Sequence, residues 1–275
     1  MSQLNIQRYL DQARPEPFIP AWLSNKKELC FSAATSSSYS VDLAMNREDV
    51  REAQRLRHDV FFAEYGAVFS TPEPGLDIDD FDACCDHLIV RHELSGSVVG
   101  TYRVLLPSQA RKIGRYYSQD EFFMTRIERQ LPGLVELGRS CVHSDHRNGA
   151  VIMLLWAAIA RYLRHYECTH LIGCASVSMR DGGTTAAALW EKFKSSGLID
   201  PLLEAFPKHP LPPLAFDRQS DVETPSLIRA YLNLGAQVCA APNWDPDFNT
   251  ADFLMLLDLS KMNPRYSRHF GLLPA

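Results

Sequence analysis

The sequence predicts an α/β fold, and three stretches carry the prediction. Residues 135–142 are rich in β-formers and run through a turn composition, Ser144 to Gly149, into an apolar segment at 151–160 of helix length without Gly or Pro. That segment ends in Arg161, Arg164 and His165, cations that suit a helix C-terminus. Upstream, residues 87–92 and 98–105 are apolar strands joined by a hairpin turn at Leu94-Ser95-Gly96-Ser97. Downstream, a helix at 226–234 stopped by Gly235 precedes strands at 237–239 and 253–259.

The other elements follow from local signals. Residues 1–38 carry Pro15, Pro17, Pro20 and three consecutive serines, which predicts a lead-in with one short helix near 6–12. Residues 39–270 are read as a single domain. Val41 and Leu43 alternate in a first strand at 39–44. Asn46 is expected to cap a helix with Glu48 and Asp49 in its first turn, and Val50, Ala53, Leu56, Val60 and Phe61 recur at helical spacing to about Tyr65. Tyr116, Tyr117, Phe122 and Phe123 make 116–128 a helical or irregular cover, either plain core or the wall of an acyl tunnel. A strand at 169–177 lies next to the central one, and Thr184 or Thr185 caps a helix at 186–194. Pro207, Pro210, Pro212, Pro213 and Pro225 make 206–225 an extended connection, and 242–249 is a turn-rich insertion.

Composition excludes several function classes. With 275 residues, 46% hydrophobic and 22% charged, the chain can bury a sizeable core. A net charge of −5 offers no basic field for nucleic acid. The apolar run at 151–160 falls short of the ~18–20 residues that span a bilayer, and the polar first twelve residues do not form a signal peptide. A cytoplasmic protein is expected, with peripheral contact at the inner face of the membrane compatible with the sequence. Seven cysteines without a C-x-x-C pair read as reduced, mostly buried thiols.

Several residues bear chemistry, each with a plain structural alternative. Glu136 and Arg139 interrupt the central strand and read as an ion pair, catalytic or structural. Arg57 and Phe61 share a helix face, where the plain reading is an exposed cation beside a core aromatic. Asp77, Asp79, Asp80 and Asp82 crowd one loop, a solvated turn by default and without EF-hand spacing. Arg103, in an otherwise apolar strand, belongs at an open face or in a pair. Cys141 and His143 are strand neighbours, and His143 and His146 lack a third ligand, so no metal is expected. A strand feeding a turn whose N–H groups open a helix is suited to a phosphate or pyrophosphate, with Gly149 at the position of close approach.

Val142, Asp145, Arg147 and Gly149 resemble the acyl-thioester-binding signature of the GNAT acyltransferase superfamily. The loop reads Arg147-Asn148-Gly149-Ala150-Val151 rather than Arg/Gln-x-x-Gly-x-Gly/Ala, which leaves a phosphopantetheine carried on acyl carrier protein as a donor beside acyl-CoA. The wording Glu136-Leu137-Gly138-Arg139-Ser140-Cys141-Val142-His143, with 241–252 and Met262-Asn263-Pro264-Arg265-Tyr266, resembles the ornithine N-acyltransferases of ornithine-lipid synthesis and their haemolysin-like cousins. The order Arg57-x-x-x-Phe61, Asp79-x-x-Asp82, Arg103, Glu136-x-x-Arg139 is more distantly similar to the acyl-homoserine-lactone synthases.

The resemblance implies a GNAT (acyl-CoA N-acyltransferase) fold: a mixed, mostly antiparallel twisted sheet, splayed where the donor enters, with helices on both faces. It implies transfer of a 3-hydroxyacyl group from acyl carrier protein to the α-amine of ornithine, with no cofactor bound. On that reading Glu136 is the general base beside Arg139. Val142 and His143 on the donor strand, with Arg147, Asn148 and Gly149, hold the donor, the Val142 amide serving oxyanion and pantetheine. Arg57, Phe61, Asp79, Asp82 and Arg103 meet the substrate, the two aspartates taking its side-chain ammonium and Arg57 or Arg103 its carboxylate. Arg111, Lys112, Arg115, Arg161 and Arg164 are candidate surface cations for an acidic carrier protein, with plain solvation as the alternative for each. Acylation of glutamine or glycine, acyl-homoserine lactone synthesis and acetyl transfer from acetyl-CoA are alternatives within the same chemistry. A non-catalytic acyl-binding module is the alternative outside it.

Overall fold

The computed structural model describes residues 38–131, 133–199, 201–212 and 222–269. The short helix expected near 6–12 and the 213–221 part of the Pro-rich connection lie outside the described residues.

β1 (Tyr39–Leu43) leads into α1 (Arg47–Tyr65). The Asn46 side chain accepts a hydrogen bond from the Asp49 amide, and Gly66 closes the helix at φ 75°, a left-handed position that glycine takes without strain. β2 (Asp86–His92) and β3 (Val98–Leu105) form the expected hairpin. Then come α2 (Pro107–Ile113), α3 (Ser118–Glu121), the two-residue β4 (Phe122–Phe123) and α4 (Thr125–Gln130). The central unit is β5 (Leu134–Val142), α5 (Ala150–His165) and β6 (His170–Ser178). The chain continues through α6 (Thr184–Ser195), β7 (Phe206–Pro207), α7 (Ser226–Leu234), β8 (Gln237–Val238), β9 (Asn243–Asp245), β10 (Thr250–Asp258) and α8 (Pro264–His269).

The main sheet has the order β1-β2-β3-β5-β6-β10-β8, with β9 also paired to β10. Every pairing in it is antiparallel except β5 with β6, where a helix supplies the crossover that parallel neighbours need. Leu88 and Val90 of β2 pack with Val151 and Leu155 of α5, whereas Ile89 packs with Ala53, Leu56 and Val60 of α1. Because strand side chains alternate, α5 and α1 cover opposite faces. The mixed, mostly antiparallel sheet with helices on both faces is therefore present.

The departures are local. α6 is capped by Gly183, with the Asp181 carboxylate accepting from the Gly183 and Thr185 amides, so neither Thr184 nor Thr185 is the cap. Part of the Pro-rich connection is structured, since Phe206–Pro207 pairs with Phe122–Phe123 and Pro210 bridges Asn243. The turn-rich insertion contains β9. Helices α2 and α8 have no counterpart in the sequence reading, being only seven and six residues long. At two turns or less their periodicity is too brief to register. No helix of the described residues is long and apolar enough to cross a membrane.

Candidate active site

β5 and β6 pair only where Leu134 to Glu136 face His170 to Ile172. Beyond that point β5 follows β3 and β6 follows β10, so the two parallel strands part. Gly173 sits at the fork, where a Cβ would press on the Leu137 carbonyl oxygen. The gap opens into a cavity of about 180 Å³ between β5 and β6, closed by side chains from α1, α3 and the β9–β10 segment. A second irregularity aims side chains into it. The β3–β5 ladder matches Thr101 with Cys141 and Arg103 with Gly138, so three steps on β5 oppose two on β3. This bulge puts Arg139 at φ 51°, a left-handed conformation that few non-glycine residues adopt.

Glu136 lines the cavity and is 3% exposed. Its Oε1 accepts the Ser118 amide at 2.7 Å and the Ser118 hydroxyl, and its Oε2 accepts the Tyr117 amide at 2.6 Å. Burial pushes its carboxyl above the ordinary glutamate range, while the Ser118 and Tyr117 donors hold it back. Among the described residues Oε2 accepts one hydrogen bond and keeps a lone pair. The expected Glu136–Arg139 ion pair does not form. The bulge turns Arg139 away to Asp77 and Asp79, at 3.2 Å each. Its guanidinium lies between the Tyr117 and Phe248 rings, 4.7 and 4.4 Å from their centres.

The acidic loop is neutralised from within. Arg57, 0% exposed, is bidentate to Asp82 at 2.9 Å and pairs with Asp77 at 2.8 Å. Arg103 reaches Asp82 at 2.9 Å and Asp79 at 2.5 Å. Asp82 also accepts from the Gln54 side chain and the Asp79 amide. Against burial, which raises it, Arg57 and Arg103 hold the Asp82 carboxyl well below the usual range. Arg57 is thus not the exposed cation of the plain reading, and the loop is not a solvated turn. Three arginines from α1, β3 and β5 fold it inward, and only Arg103 and Arg139 of these six residues reach the cavity wall.

A second acidic group faces the same cavity. Carboxylate oxygens of Glu121 in α3, Asp245 in β9 and Asp252 in β10 lie within 4.8 Å of one another. Burial, then the neighbouring acids, push Glu121 well above the ordinary range. Burial raises Asp252 to about 6, opposed by a hydrogen bond from Ser176.

At the end of β5 the His143 amide donates to the Val99 carbonyl. Ladder alternation therefore points the Val142 amide away from β3, toward the open side of β5. The Val142 carbonyl accepts twice from Arg147, at 3.0 Å, and Arg147 also pairs with Glu64. The Asn148 side chain caps the Ala150 amide, and Gly149 takes φ 89° as the N-cap of α5. His143 is turned to the Asp145 amide. Cys141 is buried, which raises its thiol well beyond the usual range.

The chain is 35% identical over 254 residues to the L-ornithine N(alpha)-acyltransferase of Rhodobacter capsulatus, across 86% of this chain and 96% of that one. It is 33% identical to the protein of that name from Brucella abortus, across 85% and 89%. The chain belongs to the L-ornithine N(alpha)-acyltransferase family. A family model described as an acetyltransferase (GNAT) domain matches residues 56–157. Among solved structures, TofI in a ternary complex with an inhibitor and MTA overlays with a TM-score of 0.50 at 15% identity, across 86% of this chain and 98% of that one. The fold is GNAT, and the protein is an acyltransferase that uses an acyl thioester.

In this family member, the sequence-selected residues fall into three groups. Glu136, Arg139, Arg103 and Phe61 are brought together on the cavity wall. Arg57, Asp79 and Asp82 stand behind it in the ion-pair network. Val142, His143, Arg147, Asn148 and Gly149 form the turn where β5 enters α5. Sequence reasoning missed Glu121, Asp245 and Asp252, whereas Tyr117, read as plain core or tunnel wall, lines the cavity. Each missed residue lies in a segment whose composition is aromatic or turn-like, and no spacing links position 121 to 245 and 252.

Proposed function

We propose that the protein transfers a 3-hydroxyacyl group from the phosphopantetheine thiol of acyl carrier protein to the α-amine of ornithine, yielding a lyso-ornithine lipid. The thioester C–S bond breaks, an amide C–N bond forms, and the amine proton leaves through a base while the carrier thiol departs. The observation that carries the reading is Glu136: a buried carboxylate with a raised pKa and a spare lone pair, held on two backbone amides in the cavity where the strands part. The family supplies the acceptor, since its members named above are L-ornithine N(alpha)-acyltransferases.

The neighbouring groups have matching roles. Arg103 and Arg139, on the cavity wall although paired to the aspartates behind it, are the guanidinium donors suited to the carboxylate of the amino acid. The Val142 amide is directed at the thioester carbonyl and pantetheine, and the Arg147-Asn148-Gly149 turn at the N-terminus of α5 suits the donor phosphate. The product is amphiphilic, and exposed Phe123 and Phe206 on the β4–β7 ribbon favour peripheral contact with the inner face of the membrane. Mass spectrometry of lipids from cells expressing wild type or Glu136→Gln tests the reading. A new N-acyl ornithine lipid that disappears in the variant is expected. Its absence with folded wild-type protein, or a different amino-acid head group, overturns it.

A further inference from the structure

Two acidic triads stand close to the cavity, and only one is neutralised by the chain itself. Asp77, Asp79 and Asp82 are matched by Arg57, Arg103 and Arg139. No lysine or arginine among the described residues forms an ion pair with Glu121, Asp245 or Asp252, although their oxygens lie within 4.8 Å of one another. Glu121 Oε2 and Asp252 Oδ1 are buried and meet no hydrogen-bond donor among the described residues. Both residues line the cavity that holds Glu136. Buried carboxylate oxygens without donors are costly, and a bound cation with several N–H donors removes the cost.

We infer that Glu121, Asp245 and Asp252 form the socket for the side-chain ammonium of the amino-acid acceptor and select a basic amino acid of ornithine length. The inference rests on the acylation reading above and assigns the substrate's second nitrogen within the same cavity. Spacing supports it. Ser118, which holds Glu136, and Glu121 are the two ends of α3, three residues or about 4.5 Å apart along the helix axis, so base and socket are anchored to one short helix. The two nitrogens of ornithine are five bonds apart, about 6 Å in an extended zigzag of ~1.5 Å bonds at tetrahedral angles. Charge supports it too: with Glu121 held toward its protonated form, the group carries less negative charge than three free carboxylates and suits a monovalent ammonium. Three ammonium N–H donors match acceptor oxygens on the three carboxyl groups, and the substrate carboxylate is left for the guanidinium donors of Arg103 and Arg139 elsewhere on the wall.

The test compares ornithine with norvaline, the same amino acid without the side-chain nitrogen, in purified wild type and in Glu121→Gln/Asp252→Asn, with acyl-loaded carrier protein as donor. The ratio of kcat/KM for ornithine over norvaline should be large in wild type and fall on the order of 100-fold in the variant. Because it is a ratio within each protein, partial unfolding cancels. An unchanged ratio, with ornithine turned over by wild type, overturns the socket and leaves the acylation reading standing. No ornithine turnover by wild type overturns both. Loss of wild-type turnover on adding EDTA, restored by Mg²⁺ or Ca²⁺, overturns the socket in favour of a divalent-metal site at the same carboxylates.

Discussion

Glu136→Gln separates catalysis from stability because the structure fixes a different size for each. The side chain keeps its shape but turns one acceptor oxygen into an amide donor. With the amide nitrogen facing the Tyr117 N–H, the remaining oxygen still accepts from the Ser118 amide and hydroxyl, and one buried N–H loses its partner. An orphaned buried donor costs about 1–3 kcal/mol. The raised pKa of Glu136 shows that the folded protein disfavours its charged form, so neutralising it offsets part of that cost. A loss near ~1 kcal/mol is expected, a fall of only about 2–4 °C in Tm. Removing a general base costs on the order of 10²–10⁴ in rate, roughly 3–5 kcal/mol of barrier. The assay is release of carrier thiol with ornithine at saturating acyl carrier protein, beside a thermal melt of the same sample. The defect should narrow at high pH, where the amine loses its proton without help. A folded variant retaining kcat within about threefold of wild type at neutral pH would refute the assignment of Glu136 as base.

The remaining predictions concern the groups behind the cavity wall. Ser118→Ala removes a donor that favours ionised Glu136, so its carboxyl rises further and the acid limb of the kcat/KM profile moves to higher pH. A limb that stays put or moves down contradicts the Ser118–Glu136 coupling. Asp82→Asn leaves Arg57 and Arg103 facing a neutral group, which should cost about 3–5 kcal/mol, on the order of 10 °C in Tm. The folded pKa of Asp82 is depressed, so its contribution is full above the unfolded value of about 3.9, begins to fall below it and is gone only once pH has fallen through the depressed folded value. Melts from pH 7 to pH 3 should therefore show the gap between wild type and variant narrowing toward the acid end. A constant gap in Tm across that range would show that Asp82 does not stabilise through its charge.

Much of the fold was legible because its causes are local. Asn46 with Glu48 and Asp49 behind it marks a helix start, and Gly66 and Gly235 sit where a left-handed residue must end a helix. Alternation in 98–105 and the apolar run at 151–160 each carry their period within a few residues. Glu136 and Arg139 were visible as charges in an apolar strand, and Gly149 as a turn glycine. Their partners were not. The Asp77 to Asp82 loop has the composition of a solvated turn, and becomes a buried network only because Arg57, Arg103 and Arg139 arrive from positions 20 to 62 residues away in the chain.

The sequence by itself determined the main strands and the longer helices, most of their ends, and which family the chain resembles. Tertiary structure decided the site. Past Ile172 β5 keeps its pairing with β3 and β6 its pairing with β10, so the two strands part, with Gly173 leaving room for the Leu137 carbonyl at the fork. At the bulge Arg139 turns to Asp77 and Asp79, so the ion pair expected with Glu136 does not form. Glu121, Asp245 and Asp252 meet only because α3 abuts the β9–β10 segment across the cavity. Secondary structure reads out forces that act over a few residues. Electrostatic neighbourhoods come from contacts between distant segments, and no local pattern encodes which charge is answered by another part of the chain.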